Sequence, residues 1–553
     1  MIDEIKNDAL EAESQYRTAV ESANDYIENF DILETITNVG NDEVFTPRKT
    51  CDMILNSLPE EVWHNPNYKW LNPATKNGIF EREIALRLDE GLKEIMPDEE
   101  SRRKHILQNM IFSIGQTKFT SNVARRTLYY CSQANRKCDG ELAEDGHYVN
   151  GYAIGNGAWF ETNEGNILTP STEHIMDPKT KRCKFCGVAI DSKYIDEKQR
   201  EHYAYEFIHV YHLVLEKHLA NRFFKGDKNM KFDIIIGNPP YQISTAKLTT
   251  QQNADPIYHL FIEQALCLNA KYISMIVPSR WMTGGKTPIE FRKEMLSSKH
   301  MAYVHDFENA DEIFPNNEIK GGVCYFLIDK SKEYKQTEYF YHATDGTVIR
   351  HMRKLNELGD EMFIRDYRGA SIVNKVIKSS DFKDFSSLVS SQTPFGIISS
   401  FTDFKEKATG DYSIRFYGRN TIGFTKRSNA TKNQNLIDKY KVLAPKAVGE
   451  GKLGLDKIKP FVAEVPSICS QTYLIYGPVD NIEQANNLCD YMKTKFFHFL
   501  LGQLKKTQDC PPTVFKFVPK LDFNEKWTDK KLYEKYNLTE DEIKLIEETI
   551  WKN

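Results

Sequence analysis

Between Lys231 and Gln242 the chain reads Lys-Phe-Asp-Ile-Ile-Ile-Gly-Asn-Pro-Pro-Tyr-Gln. Asn238, Pro239, Pro240 and Tyr241 are the residues there whose types and spacing could do chemistry. Two successive prolines fix the backbone and remove two amide donors, so the nearby carbonyls face a ligand without local competition. The Asn238 side-chain oxygen and the Pro239 carbonyl then make a rigid pair of acceptors, and Tyr241 adds a flat stacking face. Such an array suits an exocyclic amine on a planar ring. Two acceptors hold its two hydrogens, draw the nitrogen toward tetrahedral geometry and free its lone pair for attack on a methyl group. Positioning and fixed dipoles would supply most of the catalysis.

A second group of reactive side chains is made of cysteines. Cys131 and Cys138 are followed by the tight pair in Cys183-Lys184-Phe185-Cys186-Gly187, which has the turn and glycine of a zinc knuckle. Four thiolates suit zinc, and a closed four-sulfur site would be structural. Spacing in the first pair is looser, so unrelated buried cysteines remain the alternative. His147 and His174 lie in the same stretch and could replace one ligand. Ten cysteines in 553 residues are too few for a disulfide scaffold, and a reducing compartment is expected.

The elements that must position these groups alternate in character from about residue 45 to 345. Helical segments are expected at Met53 to Leu58, Glu81 to Leu88, Val123 to Tyr130 and Pro256 to Leu268. Strands are expected at Asn109 to Ile114, Phe232 to Ile236, Tyr272 to Val277, Met301 to Phe307 and Val323 to Ile328. This rhythm predicts a doubly wound α/β sheet, with Asn238 at the carboxyl end of a strand, where such sheets bind ligands. Residues 131–190, rich in Gly, Asn and Thr, read as an inserted minidomain. The domains expected are 1–40, an acidic N-terminal helix; 41–345, the sheet domain; and 346–553, a separate α+β region.

Asn-Pro-Pro-Tyr after an apolar strand ending in Gly resembles the catalytic motif of amino-group methyltransferases that use S-adenosylmethionine, chiefly adenine-specific DNA methyltransferases. A few protein glutamine methylases share it. Phe45-Thr46-Pro47-Arg48 is similar to the segment that opens the fold in the gamma class. Leu71-Asn72-Pro73-Ala74-Thr75-Lys76-Asn77-Gly78-Ile79-Phe80 stands where those enzymes carry Asp-Pro-x-x-Gly-x-Gly-x-Phe, the loop around the methionine part of the cofactor. Here Asn72 replaces Asp and Lys76 replaces the first Gly. The resemblance implies cofactor contacts from Thr46, Pro47, Asn72, Pro73, Lys76, Gly78 and Phe80. It implies a ribose contact after the second strand, where Gln116 stands in place of an acid. It also implies a base-flipping enzyme of a restriction-modification system acting on double-stranded DNA, with a separate restriction endonuclease as partner. The fold implied is a doubly wound methyltransferase sheet with a zinc-ribbon-like insert and a C-terminal target-recognition domain.

Composition is compatible. With 73 Lys+Arg against 78 Asp+Glu and 12% aromatics, disorder and a basic DNA-coating protein are excluded. The acidic start is unlike a secretory signal and no run is apolar enough for a membrane span, so a cytoplasmic location is expected. Residues 401–460 hold thirteen bases against six acids, with Phe401, Phe404, Phe416, Tyr417 and Phe424 among them. That mixture suits groove and phosphate contacts; a solvated basic face is the plainer alternative. Two other functional readings stay open, an endonuclease–methylase fusion and a non-catalytic specificity subunit. The fusion is disfavoured because about 44 residues precede the Thr46-Pro47 segment and no nuclease motif is visible.

Overall fold

The computed structural model describes Leu33 and residues 44–553, apart from 130–159, 161, 190–202, 228–230, 245–253, 285, 316, 318, 320, 360–362, 450–453, 455, 506 and 552–553. The acidic N-terminal helix expected at 1–40 lies outside the described residues except for Leu33. The chain divides into two units, Met1–Leu355 and Asn356–Asn553.

Among the described residues, the first unit is built on a sheet of nine strands: β1 (Trp70–Thr75), β2 (Ile111–Gly115), β3 (Ile167–Leu168), β4 (Ile234–Gly237), β5 (Tyr272–Pro278), β6 (Met301–Phe307), β7 (Val323–Asp329), β8 (Thr337–His342) and β9 (Val348–Arg353). They lie in the order β9-β8-β6-β7-β5-β4-β1-β2-β3. Neighbours are parallel except at β7, which runs against both β5 and β6, and at the outer β8–β9 pair. The expected doubly wound α/β sheet is therefore present. Strands β4, β5 and β7 are buried along their whole length, as strands covered on both faces must be. Strand β8 alternates buried and half-buried positions because only one of its faces is covered.

The order reverses at β1, which pairs with β2 on one side and β4 on the other. The carboxyl ends of β1 and β4 thus border the crevice in which such sheets bind ligands. Two helices frame it. Helix α1 (Arg48–Asn56) buries Thr50, Cys51, Ile54 and Leu55 on one stripe. Helix α2 (Ile79–Gly91) follows β1 directly after Gly78. Helix α3 (Lys118–Tyr129) follows β2 and packs on α2.

The second unit is α+β. It has two three-stranded sheets, one of Tyr412–Gly418, Thr421–Lys426 and Ser467–Cys469, the other of Tyr440–Pro445, Phe461–Val462 and Tyr473–Val479. Helices Ile482–Tyr491 and Lys495–Leu504 contribute Leu488, Tyr491, Phe496, Phe497 and Leu500 to its larger core. Among the described residues, no helix is long and apolar enough to cross a membrane.

Candidate active site

Gly78 decides how the loop after β1 turns into α2. Its φ of 81° is left-handed, and a Cβ there would stand 2.9 Å from the Ala124 Cα of α3. Only glycine allows both the turn and the close approach. Helix α2 thereby opens beside a cleft lined by Thr46, Asn72, Ala74, Thr75, Lys76, Asn77, Gly78, Ile79, Phe80, Glu81 and Asn238, with its first amide, Ile79 N, donating to Asn77 Oδ1 at 3.3 Å. Helix N-terminal amides favour negative or carboxylate groups.

Asn238 stands at the end of β4 and is 3% exposed. Its Nδ2 donates to the Val44 carbonyl at 3.1 Å and to the Thr46 hydroxyl at 3.1 Å. Both amide hydrogens are thus used, which fixes the flip of the amide and leaves Oδ1 without a donor among the described residues. A buried acceptor without a partner is costly in a resting protein and useful where a ligand N–H arrives. Gly237 precedes it for a steric reason, since a Cβ there would lie 2.5 Å from the Asn72 Oδ1.

Asn72 holds the turn of the loop. Its Oδ1 accepts from the Ala74 amide at 3.1 Å, and its Nδ2 donates to Glu81 Oε1 at 2.9 Å. The Ser113 hydroxyl donates to the same Glu81 oxygen at 2.7 Å. Glu81 is 1% exposed, and its second oxygen has no hydrogen-bond partner among the described residues. The carboxylate expected at position 72 is therefore present in the same site, carried by α2. Sequence reasoning missed it. The available signal was a glutamate on the stripe Glu81, Ile84, Ala85, Leu88, which is otherwise apolar.

The remaining expected residues are distributed around this centre. Lys76 is buried, and its Nζ donates to the Val44 carbonyl at 2.9 Å. Thr46, Asn72, Lys76, Gly78, Phe80 and Asn238 are brought together in the cleft wall, whereas Pro47, Pro73, Gln116, Pro239, Pro240 and Tyr241 are not part of its lining. Pro47 caps α1. Gln116 is fully buried just past β2, its amide donating to Thr75 O at 2.9 Å and its carbonyl accepting from Tyr203 N at 2.8 Å. The Tyr241 ring meets Phe314 edge-on at 6.4 Å, and burial pushes its hydroxyl well above the ordinary phenol range. It stays a neutral phenol at any working pH.

Cys183 and Cys186 are buried side by side, while Cys131 and Cys138 lie outside the described residues. In the basic stretch of the second unit, Lys407, Arg419 and Lys432 are exposed, but Phe416 and Tyr417 belong to a core cluster and do not face solvent. Lys441 is wholly buried, its Nζ donating to the carbonyls of Leu436, Ile437 and Lys439, and burial lowers its pKa to about 8.

A doubly wound sheet with β7 reversed, together with Asn-Pro-Pro-Tyr at the end of β4, defines the class as an α/β methyltransferase. The Eco57I restriction-modification methylase family model matches residues 109–314. An uncharacterized adenine-specific methylase of Mycoplasma pneumoniae is 46% identical over 314 residues, covering 56% of this chain and 72% of that one. The chain belongs to this family of adenine-specific, restriction-modification-type methylases. Among solved structures, a nuclease-deletion mutant of the Type ISP restriction-modification enzyme LlaGI, in complex with a DNA substrate mimic, is similar with a TM-score of 0.43 and 14% identity, covering 91% of this chain and 46% of that one. The Type IIL restriction-modification enzyme MmeI in complex with DNA is similar with a TM-score of 0.41 and 13% identity, covering 85% and 66%. The chain thus spans about half the length of the first of these.

Proposed function

We propose that this chain methylates the N6 amino group of adenine in double-stranded DNA, in the cytoplasm, as the modification enzyme of a restriction-modification system with a separate endonuclease partner. The observation that carries the proposal is Asn238 Oδ1, a buried acceptor with its own amide hydrogens already engaged. S-adenosylmethionine, when bound, supplies an electrophilic methyl group on a sulfonium. The cleft residues fit that cofactor: the positive N-terminal end of α2 suits its carboxylate, and the Glu81 oxygen that has no partner among the described residues suits its positive charge.

Asn238 Oδ1 and the Pro239 carbonyl accept the two hydrogens of the target amine and orient its lone pair, while Pro240 holds the turn rigid and Tyr241 stacks on the ring. Thr46 serves the reaction by holding the Asn238 amide. Pro47 and Pro73 shape the two loops, and Gln116 accepts a ribose hydroxyl. The base must leave the duplex stack to reach these groups. Residues 346–553 read the target sequence, with the exposed bases Lys407, Arg419 and Lys432 on phosphates. A structural zinc in the insert is part of the proposal, with Cys183 and Cys186 as thiolate ligands.

The test is Asn238→Ala. Transfer of label from S-adenosylmethionine to adenine in a DNA duplex should disappear, while calorimetric affinity for the cofactor stays within a few-fold of wild type. Retained transfer would refute the mechanism.

A further inference from the structure

Away from the cleft, the described residues contain one convergence of ligating side chains that methyl transfer does not use: His174, Cys183, Cys186 and His209. Three of them belong to a small ribbon. Met176 bridges to Cys183 and Arg182 to Ala189, with Lys184 N donating to Ile175 O at 2.9 Å and Cys183 N to Val188 O at 2.8 Å. Gly187 closes the turn, its amide donating to Cys183 O at 3.0 Å with φ at 72°. The turn sets both thiols on one side, and His174 stands at the ribbon's start.

The fourth group comes from elsewhere in the chain. His209 follows the 3-10 turn Tyr203–Ile208. Its Nε2 lies 3.4 Å from Cys183 Sγ, and His174 Nδ1 lies 3.5 Å from Cys186 Sγ. All four ligand atoms lie within 4.8 Å of one another. A tetrahedral zinc with Zn–S near 2.3 Å and Zn–N near 2.0–2.1 Å requires sulfur–nitrogen edges of about 3.6 Å. Both measured edges meet that requirement within about 0.2 Å.

The tautomer of His209 is also prepared. Its Nδ1 donates to the Tyr205 carbonyl, which leaves the Nε2 lone pair directed at the thiols. A ligating imidazole anchored through its other nitrogen to a carbonyl is a recurring feature of zinc centres. Two thiolates with two imidazoles favour zinc over hard cations, and four protein ligands leave no open position for catalysis.

We propose that His174, Cys183, Cys186 and His209 form a closed structural zinc site. This set replaces the four-cysteine one expected from sequence and leaves Cys131 and Cys138 out of the coordination shell. The metal ties the ribbon to the turn at Tyr203–Ile208, whose first amide is bonded to the Gln116 carbonyl past β2. It therefore staples the insert to the sheet domain. The site stands apart from the methyl-transfer reading, so either can fail alone.

The experiment is metal analysis by mass spectrometry of the full chain purified without added metal, followed by cobalt substitution. One zinc per chain is expected in wild type and in the Cys131→Ser/Cys138→Ser double variant. Zinc should be lost from Cys183→Ser and His209→Ala. Because either loss could come from misfolding, His209→Cys is the deciding variant. It should keep one metal per chain and raise the thiolate-to-cobalt charge-transfer intensity from that of two thiolates to that of three. A metal-free wild type, loss of zinc from the double variant, or an unchanged cobalt spectrum in His209→Cys would each overturn the proposal.

Discussion

Glu81→Gln removes one charge from the cleft and almost nothing else. The glutamate takes two hydrogen bonds on Oε1, from Asn72 Nδ2 at 2.9 Å and Ser113 Oγ at 2.7 Å, and a glutamine oxygen can accept both. The fold should therefore survive with a loss of about 1 kcal/mol, the usual worth of a weakened neutral hydrogen bond. Ligand binding should change more. If the second carboxylate oxygen receives the ammonium or sulfonium of the cofactor, the charge-assisted interaction that the variant gives up is worth about 1.5–3 kcal/mol. At about 1.4 kcal/mol per decade, Kd for S-adenosylmethionine rises roughly 10- to 100-fold. Isothermal calorimetry with three ligands separates the causes. S-adenosylmethionine has both positive groups, S-adenosylhomocysteine keeps only the ammonium, and methylthioadenosine has neither. The variant should lose affinity for the first most and for methylthioadenosine not at all. Equal affinities of variant and wild type for S-adenosylmethionine would refute the assignment and leave Glu81 as a brace for Asn72 and Ser113.

Gly78→Ala should cost about 1–3 kcal/mol from strain at φ 81° and the close approach to Ala124; thermal denaturation measures it, and an unchanged melting point would show that the turn relaxes freely. His498 is buried as a neutral ring, its Nδ1 donating to Thr494 O at 2.9 Å and its Nε2 accepting from Ile458 N at 3.1 Å, and desolvation lowers its pKa to about 4. The unfolded chain binds the extra proton first, so the stability this ring contributes is full above about pH 6.5 and is lost progressively as the pH falls toward 4, by about 3 kcal/mol in all. Urea titrations across that range should show a shallower acid loss in His498→Gln, and an identical slope would contradict the assignment. Replacing the exposed Lys407, Arg419 or Lys432 by Gln should reduce the slope of log K for duplex DNA against log salt by about one for each phosphate that is no longer neutralised. Lys441→Gln should leave that slope alone and lower stability, because three carbonyls lose their donor.

The sheet was legible in the sequence because its central strands are covered on both faces and so read as short, continuous apolar runs. Ile234 to Ile236 and Tyr272 to Val277 needed no partner to be recognised. Strand β3 was not legible. Its two residues, Ile167 and Leu168, are too few to show any period, and they lie inside the stretch taken for an insert. The aromatic residues at 401–424 mislead for another reason. Composition records that Phe416 is near Arg415 and Arg419, but not that its ring is buried against Phe401 and Phe404. Glu81 was hidden by an assumption about charge, since a carboxylate at a core position of a helix reads as an exception until Asn72 and Ser113 are seen donating to it. His209 lies 26 residues from Cys183, and only the folded path around Tyr203–Ile208 brings them together.

The cleft owes its polarity to a backbone atom far from the motif. Val44 O accepts from Asn238 Nδ2, 194 residues away, and also from Lys76 Nζ, 32 residues away. One carbonyl with two lone pairs thus fixes both the loop after β1 and the turn after β4. Were the Asn238 amide to rotate by half a turn, its oxygen would face the Val44 oxygen and its hydrogens would have no acceptor. The Thr46 hydroxyl could turn and donate to the rotated oxygen, but the Val44 bond would be broken and two acceptors set against each other, at the usual penalty of about 1–3 kcal/mol for a buried unpaired group. The acceptor is therefore oriented before any amine arrives, and no binding free energy is needed to turn it. The short segment Val44–Thr46 is on this account part of the site, although its own chemistry is only a carbonyl and a hydroxyl.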